Sequence, residues 1–233
     1  MSNNKTLNSA LGVGGKTLGL IHTSATLVPM FAELCSKYIP HVKTFNIVDD
    51  SLIKNTIACG ELTPDTSRRV VNYAGSAQDA GADFILFTCS SIGPAVEAAA
   101  MLTKVPVLRV DQPMSDQAVQ LGKRIGVIAT LSTTLEPTSD LVKRRAALAG
   151  KEIVLISKLC EGAFDALMSG DAATHDKKVG ETLKQLSTEV DVIVLAQASM
   201  ARVVDTLSEA DKKVPILASP PIAIQHLATI LAP

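Results

Sequence analysis

The sequence contains few aromatic residues and no surplus of positive charge. Among its 233 residues there is no tryptophan, and tyrosine and phenylalanine together make up 3%. Few aromatic rings leave little surface on which nucleic-acid bases stack. The 22 lysines and arginines are balanced by 23 aspartates and glutamates, so no positive excess is available to neutralise phosphates. We therefore expect no nucleic-acid partner.

Long apolar runs are also missing. No segment reaches the roughly 18 consecutive apolar residues that a membrane-spanning helix needs. The beginning of the chain, MSNNKTLNSALGVGG, lacks the apolar stretch of a secretory signal. From these features we expect no membrane association, a cytoplasmic location and a flexible N-terminal tail over residues 1–15.

Cysteine and histidine occur four times each, without C-x-x-C or H-x-x-x-H spacing. This pattern predicts free thiols and no metal site. We expect Cys35 and Cys160 to be packing residues and Cys59 to lie on a loop that approaches the site. The histidines other than His22 are expected on the surface; they are His41, His175 and His226.

The segment GVGGKT at residues 12–17 resembles the end of a phosphate-binding P-loop. It departs from that motif because Ala10 replaces the first glycine and because Lys16 precedes a predicted strand instead of following it. A P-loop holds phosphate only in a strand–loop–helix order. The sequence therefore predicts no nucleotide site here.

The chain contains an internal repeat. KTLGLIHTSAT from Lys16 and KRIGVIATLSTT from Lys123 share a pattern at an offset of 107 residues. DFILFTCSSIGPAVE from Asp83 and DVIVLAQASMARVVD from Asp191 follow at an offset of 108, and VPVL and VPIL follow at 109. Three pairs in one order at a nearly constant offset indicate two copies of one α/β unit.

Each copy alternates short apolar runs with segments of helical period, such as Thr66–Gln78 and Lys177–Thr188. Continuous apolar runs are typical of parallel strands buried on both faces. The predicted strands are Leu18–Ile21, Phe84–Phe87, Val105–Leu108, Ile125–Ile128, Val192–Leu195 and Ile216–Leu217. The predicted fold is α/β, with two pseudo-symmetric Rossmann-like domains, each a parallel sheet flanked by helices.

Polar residues follow four of the predicted strands. Ligands bind beyond the carboxyl ends of parallel strands, so we expect these residues to meet in one cleft between the domains. They include His22-Thr23-Ser24, Thr88-Cys89-Ser90-Ser91, Thr130-Leu131-Ser132-Thr133 and Gln197-Ala198-Ser199.

Cys89 is the strongest candidate for a catalytic residue. Pro94 suits the first turn of a helix, with Ser91 or Gly93 near its cap. A thiol close to the positive end of a helix is in an environment that favours the thiolate. The alternative is a buried cysteine that packs as a small hydrophobe, although a core-facing thiol does not need three hydroxyl neighbours.

Residues 16–230 resemble the aspartate/glutamate/hydantoin racemase superfamily, which includes maleate isomerases and arylmalonate decarboxylases. The resemblance rests on the duplicated unit and on the segment Thr88-Cys89-Ser90-Ser91. The resemblance implies an active site between two domains, no cofactor, and one cysteine from each half on opposite faces of a carbon acid. The first of these cysteines matches Cys89, and the second falls on Gln197. A glutamine side chain neither gives nor takes a proton at neutral pH.

The resemblance also suggests His22 as a second catalytic residue, because glutamate racemases carry an acidic residue after the first strand. Hydroxyl and amide groups at the strand ends are predicted to bind the substrate and the negative charge of an enolate-like intermediate. These predicted substrate-binding residues are Thr23, Ser24, Ser90, Ser91, Ser132, Thr133, Gln197 and Ser199.

Three functions remain open from the sequence. The first is a decarboxylase or isomerase in which Cys89 serves one face of a small carboxylate or related carbonyl compound. The second is a racemase or epimerase in which His22 or another group replaces the missing cysteine. The third is a non-catalytic carboxylate-binding protein.

The predicted domains are residues 16–110 with 220–233, and residues 111–219. The return of the final helix to the first domain is implied by the resemblance, as is a homo-oligomer, dimeric or tetrameric.

Overall fold

The computed structural model describes residues 15–232. It contains two four-stranded parallel sheets flanked by helices, which confirms the predicted fold class. Residues 1–14 of the predicted tail, which include the first half of the P-loop-like segment, lie outside the described residues. Within the described part of the chain, no helix is both long and apolar enough to cross a membrane.

The first sheet has the strand order β2-β1-β3-β4. Its strands are β1 (Thr17–His22), β2 (Lys43–Val48), β3 (Phe84–Phe87) and β4 (Val107–Arg109). The helices that follow these strands are α1 (Leu27–Tyr38), α2 (Ser51–Cys59), α3 (Pro64–Asp79), α4 (Gly93–Leu102) and α5 (Gln112–Leu121).

The second sheet has the equivalent order β6-β5-β7-β8. Its strands are β5 (Arg124–Ala129), β6 (Val154–Leu159), β7 (Val192–Leu195) and β8 (Ile216–Ala218). The helices that follow these strands are α6 (Ser132–Leu148), α7 (Ala163–Met168), α8 (Ala172–Leu186), α9 (Ala201–Thr206) and α10 (Ser219–Ile230).

The repeated aspartates perform the same structural task in the two halves. The Asp83 carboxylate accepts a hydrogen bond from the backbone N–H of Thr17 at 2.7 Å. The Asp191 carboxylate accepts from the N–H groups of Lys123 and Arg124, both at 2.8 Å. Each aspartate therefore ties the start of one strand to the start of its neighbour, which explains its place in both copies of the repeat.

The sheets are buried on both faces, as the continuous apolar runs predict. In the first sheet, Leu18 and Leu20 pack into one core with α1, whereas Ile21 and Ile85 pack into another with α3 and α4. The second sheet divides its apolar residues in the same way between two cores. Helix α10 packs its apolar face into the core of the first sheet and contacts α1.

Two expectations about individual residues were wrong. His175 is buried rather than on the surface, because the spacing of His175, Val179 and Leu183 places them on the inward face of α8. Its Nδ1 lies 2.7 Å from the Asp176 carboxylate. Cys59 is the last residue of helix α2 rather than part of a loop.

Candidate active site

The carboxyl ends of both sheets converge on one cavity of about 340 Å³. All four polar strand-end segments contribute to its wall. The volume lies near the lower end of the range for small-molecule sites, about 300–1,000 Å³. The cavity is therefore suited to a small ligand.

Cys89 occupies the turn between β3 and α4 and lines this cavity. The chain passes from β3 through a short 3-10 turn, Ser90–Ile92, before α4 begins at Gly93 with Pro94 in its first turn. Ile92 is the cap residue of α4, so Ser91 and Gly93 lie on either side of the cap. The Cys89 side chain is half-buried, so a ligand in the cavity has access to its thiol.

The other cysteines do not line this cavity. Cys35 and Cys160 are buried in hydrophobic cores. Burial raises the pKa of the Cys35 thiol to about 11 and also raises that of Cys160. Cys59 is exposed at the end of α2. Of the four thiols, only that of Cys89 is accessible from this cavity.

Gln197 is the counterpart of Cys89 in the second half. The two residues have nearly the same backbone conformation, with φ −130° and ψ 123° at Cys89 and φ −130° and ψ 137° at Gln197. Each precedes a short 3-10 turn, and both line the cavity. Cys89 and Gln197, which are 108 residues apart in the repeat, therefore occupy equivalent positions in the two halves.

The orientation of the Gln197 amide is fixed by Thr130. Gln197 Oε1 accepts hydrogen bonds from the Thr130 backbone N–H at 2.6 Å and from its hydroxyl at 2.9 Å. A backbone N–H is only a donor, so the atom that faces it must be the amide oxygen. The Nε2 group therefore remains as a donor for a ligand in the cavity.

Several predicted substrate-binding hydroxyls also line the cavity. Those of Thr23, Ser90 and Ser199 have no hydrogen-bond partner among residues 15–232, and Ser24 bonds only with its neighbour Thr26. Ser91 lines the wall too, but its hydroxyl lies 2.7 Å from that of Thr134 on α6. Ser91 thus also joins the two halves of the molecule.

Ser132 and Thr133 do not line the cavity, contrary to their prediction as substrate-binding residues. Helix α6 begins at Ser132, and its rotation turns Ser132 to solvent. The Thr133 hydroxyl oxygen is buried and has no partner among the described residues. Leu131 and Thr134 form this part of the wall instead.

His22 lies behind the cavity wall. It is completely buried, with Nδ1 2.9 Å from the Thr88 hydroxyl and Nε2 2.9 Å from Asn46 Oδ1. Burial lowers the pKa of its imidazole, while the hydrogen bond with Asn46 opposes this effect. Thr88 lines the cavity and His22 does not, so direct proton exchange with a ligand does not fit this geometry.

Two helices that were not predicted from the sequence complete the wall. Helices α2 and α7 follow the edge strands β2 and β6, in which, unlike the central strands, no residue is fully buried. They contribute Asp50, Ile53, Lys54 and Ile57 from one half, and Phe164, Leu167 and Met168 from the other. Met200, three residues after Gln197, does not line the cavity and is buried in the core.

A network of ion pairs around the buried Arg109 joins the two halves. The Arg109 guanidinium donates to both carboxylate oxygens of Asp111, at 3.0 and 2.8 Å. The two side chains are 2% and 0% exposed. Arg109 also binds Glu97, which in turn binds Arg144 of α6. Among the described residues, no cluster of histidines, cysteines and carboxylates could hold a metal ion.

Comparison with known proteins adds an independent line of information. A family model described as Asp/Glu/hydantoin racemase matches residues 18–227. A search of curated proteins found no match.

Solved structures share this fold at low sequence identity. Glutamate racemase isoform RacE1 from Bacillus anthracis has a TM-score of 0.71 and 18% identity, covering 93% of this chain and 81% of its own. Aspartate racemase from Picrophilus torridus has a TM-score of 0.69 and 16% identity, covering 93% of both chains. Allantoin racemase from Klebsiella pneumoniae has a TM-score of 0.67 and 14% identity, covering 94% and 88%.

Proposed function

Because the chain belongs to the Asp/Glu/hydantoin racemase family, whose model matches residues 18–227, we propose that it moves a proton at a carbon beside a carboxylate or related carbonyl group. In this proposal the enzyme is a racemase or epimerase, and Cys89 is its acid–base residue. The observation that carries the proposal is the position of Cys89, half-buried at a strand end and open to the cavity.

Cys89 supplies both forms that the reaction needs. Its thiolate removes the proton from the substrate carbon, and the resulting thiol returns a proton to that carbon. Removal of the proton leaves an electron pair that delocalises onto the neighbouring carbonyl oxygens. The intermediate is therefore an enolate whose new negative charge lies on oxygen.

The cavity supplies donors for those oxygens. Gln197 Nε2 is left as a donor because Thr130 occupies Oε1, and the hydroxyls of Thr23, Ser90 and Ser199 line the same space. A single well-placed donor of this kind is typically worth about 3–4 kcal/mol of transition-state stabilisation. A few such donors remove a large part of the barrier to proton abstraction.

The second face of the substrate carbon requires another route for the proton. Gln197 has no acid–base group, and His22 is separated from the cavity by Thr88. We propose that the planar intermediate receives its proton on that face from water, or turns so that Cys89 reaches both faces. Inversion is then slower than exchange of the substrate proton with solvent.

A second candidate is decarboxylation followed by protonation on one face, and Gln197 is the observation that favours it. In that reaction the bond between the substrate carbon and a carboxylate breaks, CO₂ leaves, and the electron pair forms the same enolate. The Cys89 thiol then donates its proton to the carbon. A single thiol is sufficient because only one proton transfer is needed.

Proton exchange in D₂O tests the proposal. Single enantiomers of amino acids and 5-substituted hydantoins are incubated with the protein, while NMR follows deuterium incorporation and chiral chromatography follows inversion. We expect incorporation that precedes inversion and is absent in Cys89→Ala. Release of CO₂ from substituted malonates without exchange of the other compounds supports the decarboxylase instead. Exchange that survives in Cys89→Ala contradicts the racemase mechanism, and CO₂ release that survives in this variant contradicts the decarboxylase mechanism.

A further inference from the structure

The cavity has a polar part and an apolar part. Cys89, Gln197 and the free hydroxyls form the polar part at the strand ends. Ile53 and Ile57 of α2, with Phe164, Leu167 and Met168 of α7, form the apolar part. Each half of the molecule therefore contributes the helix after its edge strand to an apolar surface that is continuous with the thiol site.

The lining of this cavity carries no net charge. Among the lining residues that the structure describes, Asp50 and Lys54 are the charged ones. Their side chains pair with each other, with Lys54 Nζ 2.5 Å from Asp50 Oδ2. The wall therefore offers no net positive charge to a second carboxylate on a ligand.

We propose that the substrate carries an apolar side group, which lies between α2 and α7 while its carboxylate or carbonyl oxygens meet the polar part. This inference rests on the proposed function and specifies its substrate class. It separates this chain from enzymes that act on acidic side groups. A cavity of about 340 Å³ has room for a branched aliphatic group or one aromatic ring.

Burial of such a group strengthens binding by a measurable factor. Each methylene removed from water contributes a factor of about four in affinity. A branched alkyl group that fills the apolar part is therefore expected to bind at least about tenfold more tightly than a carboxylate of the same shape. The carboxylate would lose its hydration without gaining a partner.

Two probes of similar size and branching test this expectation in the intact protein. In 4-methylpentanoate an isopropyl group replaces one carboxylate of succinate, so the two molecules differ only in the group at the apolar end. The readout is the concentration of each probe that halves the rate at which iodoacetamide alkylates Cys89, measured by mass spectrometry. This readout does not require turnover.

A pair of matched variants tests whether the apolar side group lies between α2 and α7. Met168 lines the cavity and is 70% exposed, whereas Leu148 lies outside it and is 76% exposed. We expect Met168→Arg to weaken protection by 4-methylpentanoate and to strengthen protection by succinate, each several-fold. Leu148→Arg is expected to change neither. Leu167→Arg, deeper in the apolar wall, provides a second variant if Met168 is too peripheral.

The outcomes separate this inference from the proposed function. Protection by 4-methylpentanoate at a tenfold lower concentration than succinate, with this preference reduced in Met168→Arg or Leu167→Arg, supports both. Equal or better protection by succinate overturns the apolar side group but leaves Cys89 in a carboxylate site. Protection by neither probe removes the carboxylate site itself, and the inference falls with it.

Discussion

Gln197 Oε1 accepts two hydrogen bonds from Thr130, one from its backbone N–H and one from its hydroxyl. The amide is thereby held in one orientation, with its nitrogen left as a donor. A second thiol at this position would provide a second acid–base group. This chain has instead a fixed donor, so the two halves present different chemical groups to the cavity despite their shared backbone geometry.

Replacement of Gln197 by glutamate tests the donor role. Gln197→Glu keeps the shape of the side chain and an oxygen that accepts from Thr130, but it replaces the donor with a negatively charged acceptor. We expect the rate of deuterium exchange, as kcat/KM, to fall about 100- to 1,000-fold. The control is Gln185→Glu, the same substitution at an exposed position on α8. Full activity in Gln197→Glu would contradict the proposed role.

The buried His22 predicts a pH dependence of stability. Burial lowers the pKa of His22 in the folded protein. Just below pH 6.5, His22 is therefore protonated in the unfolded chain but still neutral in the native state. The stability that neutral His22 contributes is therefore present above pH 6.5 and is lost as the pH falls through the lowered pKa. Urea unfolding between pH 8 and pH 5 measures this loss.

His22→Gln removes the titrating group while it keeps hydrogen-bonding capacity. We expect the free energy of unfolding of the wild type to decrease relative to this variant as the pH falls. His226→Gln, at an exposed position, controls for loss of a histidine from the chain. A difference between wild type and His22→Gln that stays constant across the pH range contradicts the expectation.

The buried pair of Arg109 and Asp111 predicts a large loss of stability on disruption. Asp111→Asn leaves the guanidinium with reduced compensation in a site where both side chains are at most 2% exposed. We expect the free energy of unfolding to fall by about 3 kcal/mol or more. Asp65→Asn breaks an exposed pair with Arg68 and should cost at most about 1 kcal/mol. Similar losses in urea unfolding would be inconsistent with this account.

Replacement by alanine of two glycines in helices is expected to change the free energy of unfolding in opposite directions. A Cβ at Gly93 would lie 2.2 Å from Cζ of Arg109, whose guanidinium is held by Asp111 and Glu97. Gly93→Ala should therefore destabilise the protein by about 1–3 kcal/mol.

At Gly75, in the interior of α3, a Cβ meets nothing within 4 Å. Gly75→Ala should stabilise the protein by about 0.5–1 kcal/mol. Thermal unfolding of both variants checks the pair of expectations. A stabilised Gly93→Ala would show that the Arg109 network yields more readily than its contacts imply.

The central strands were predictable because both their faces are buried. Phe84–Phe87 and Val192–Leu195 form β3 and β7 within the predicted bounds, and the repeat anticipated the shared topology. Two edge strands were missed. Lys43–Val48 has apolar residues at the alternate positions Phe45 and Ile47, a strand signal that a search for continuous apolar runs overlooks. Val154–Leu159 begins with three apolar residues, but Ser157 and Lys158 interrupt the run.

The same omission limited the prediction of the site. Polar residues at the ends of central strands were found, because chain order places them at one edge of the sheet. The apolar wall of α2 and α7 was missed since these helices follow the edge strands. His22 illustrates a second limit: residues at a strand end alternate in direction, and its side chain points toward Asn46 on the neighbouring strand rather than into the cavity.

The most direct test of the account compares the four cysteines of one native molecule. Alkylation by iodoacetamide is followed at each thiol by mass spectrometry, with and without a small carboxylate. We expect Cys89 and Cys59 to react and Cys35 and Cys160 to stay unmodified, with the carboxylate protecting Cys89 alone. A Cys89 that does not react, or that reacts equally with the carboxylate present, would contradict the claim that this thiol serves the substrate.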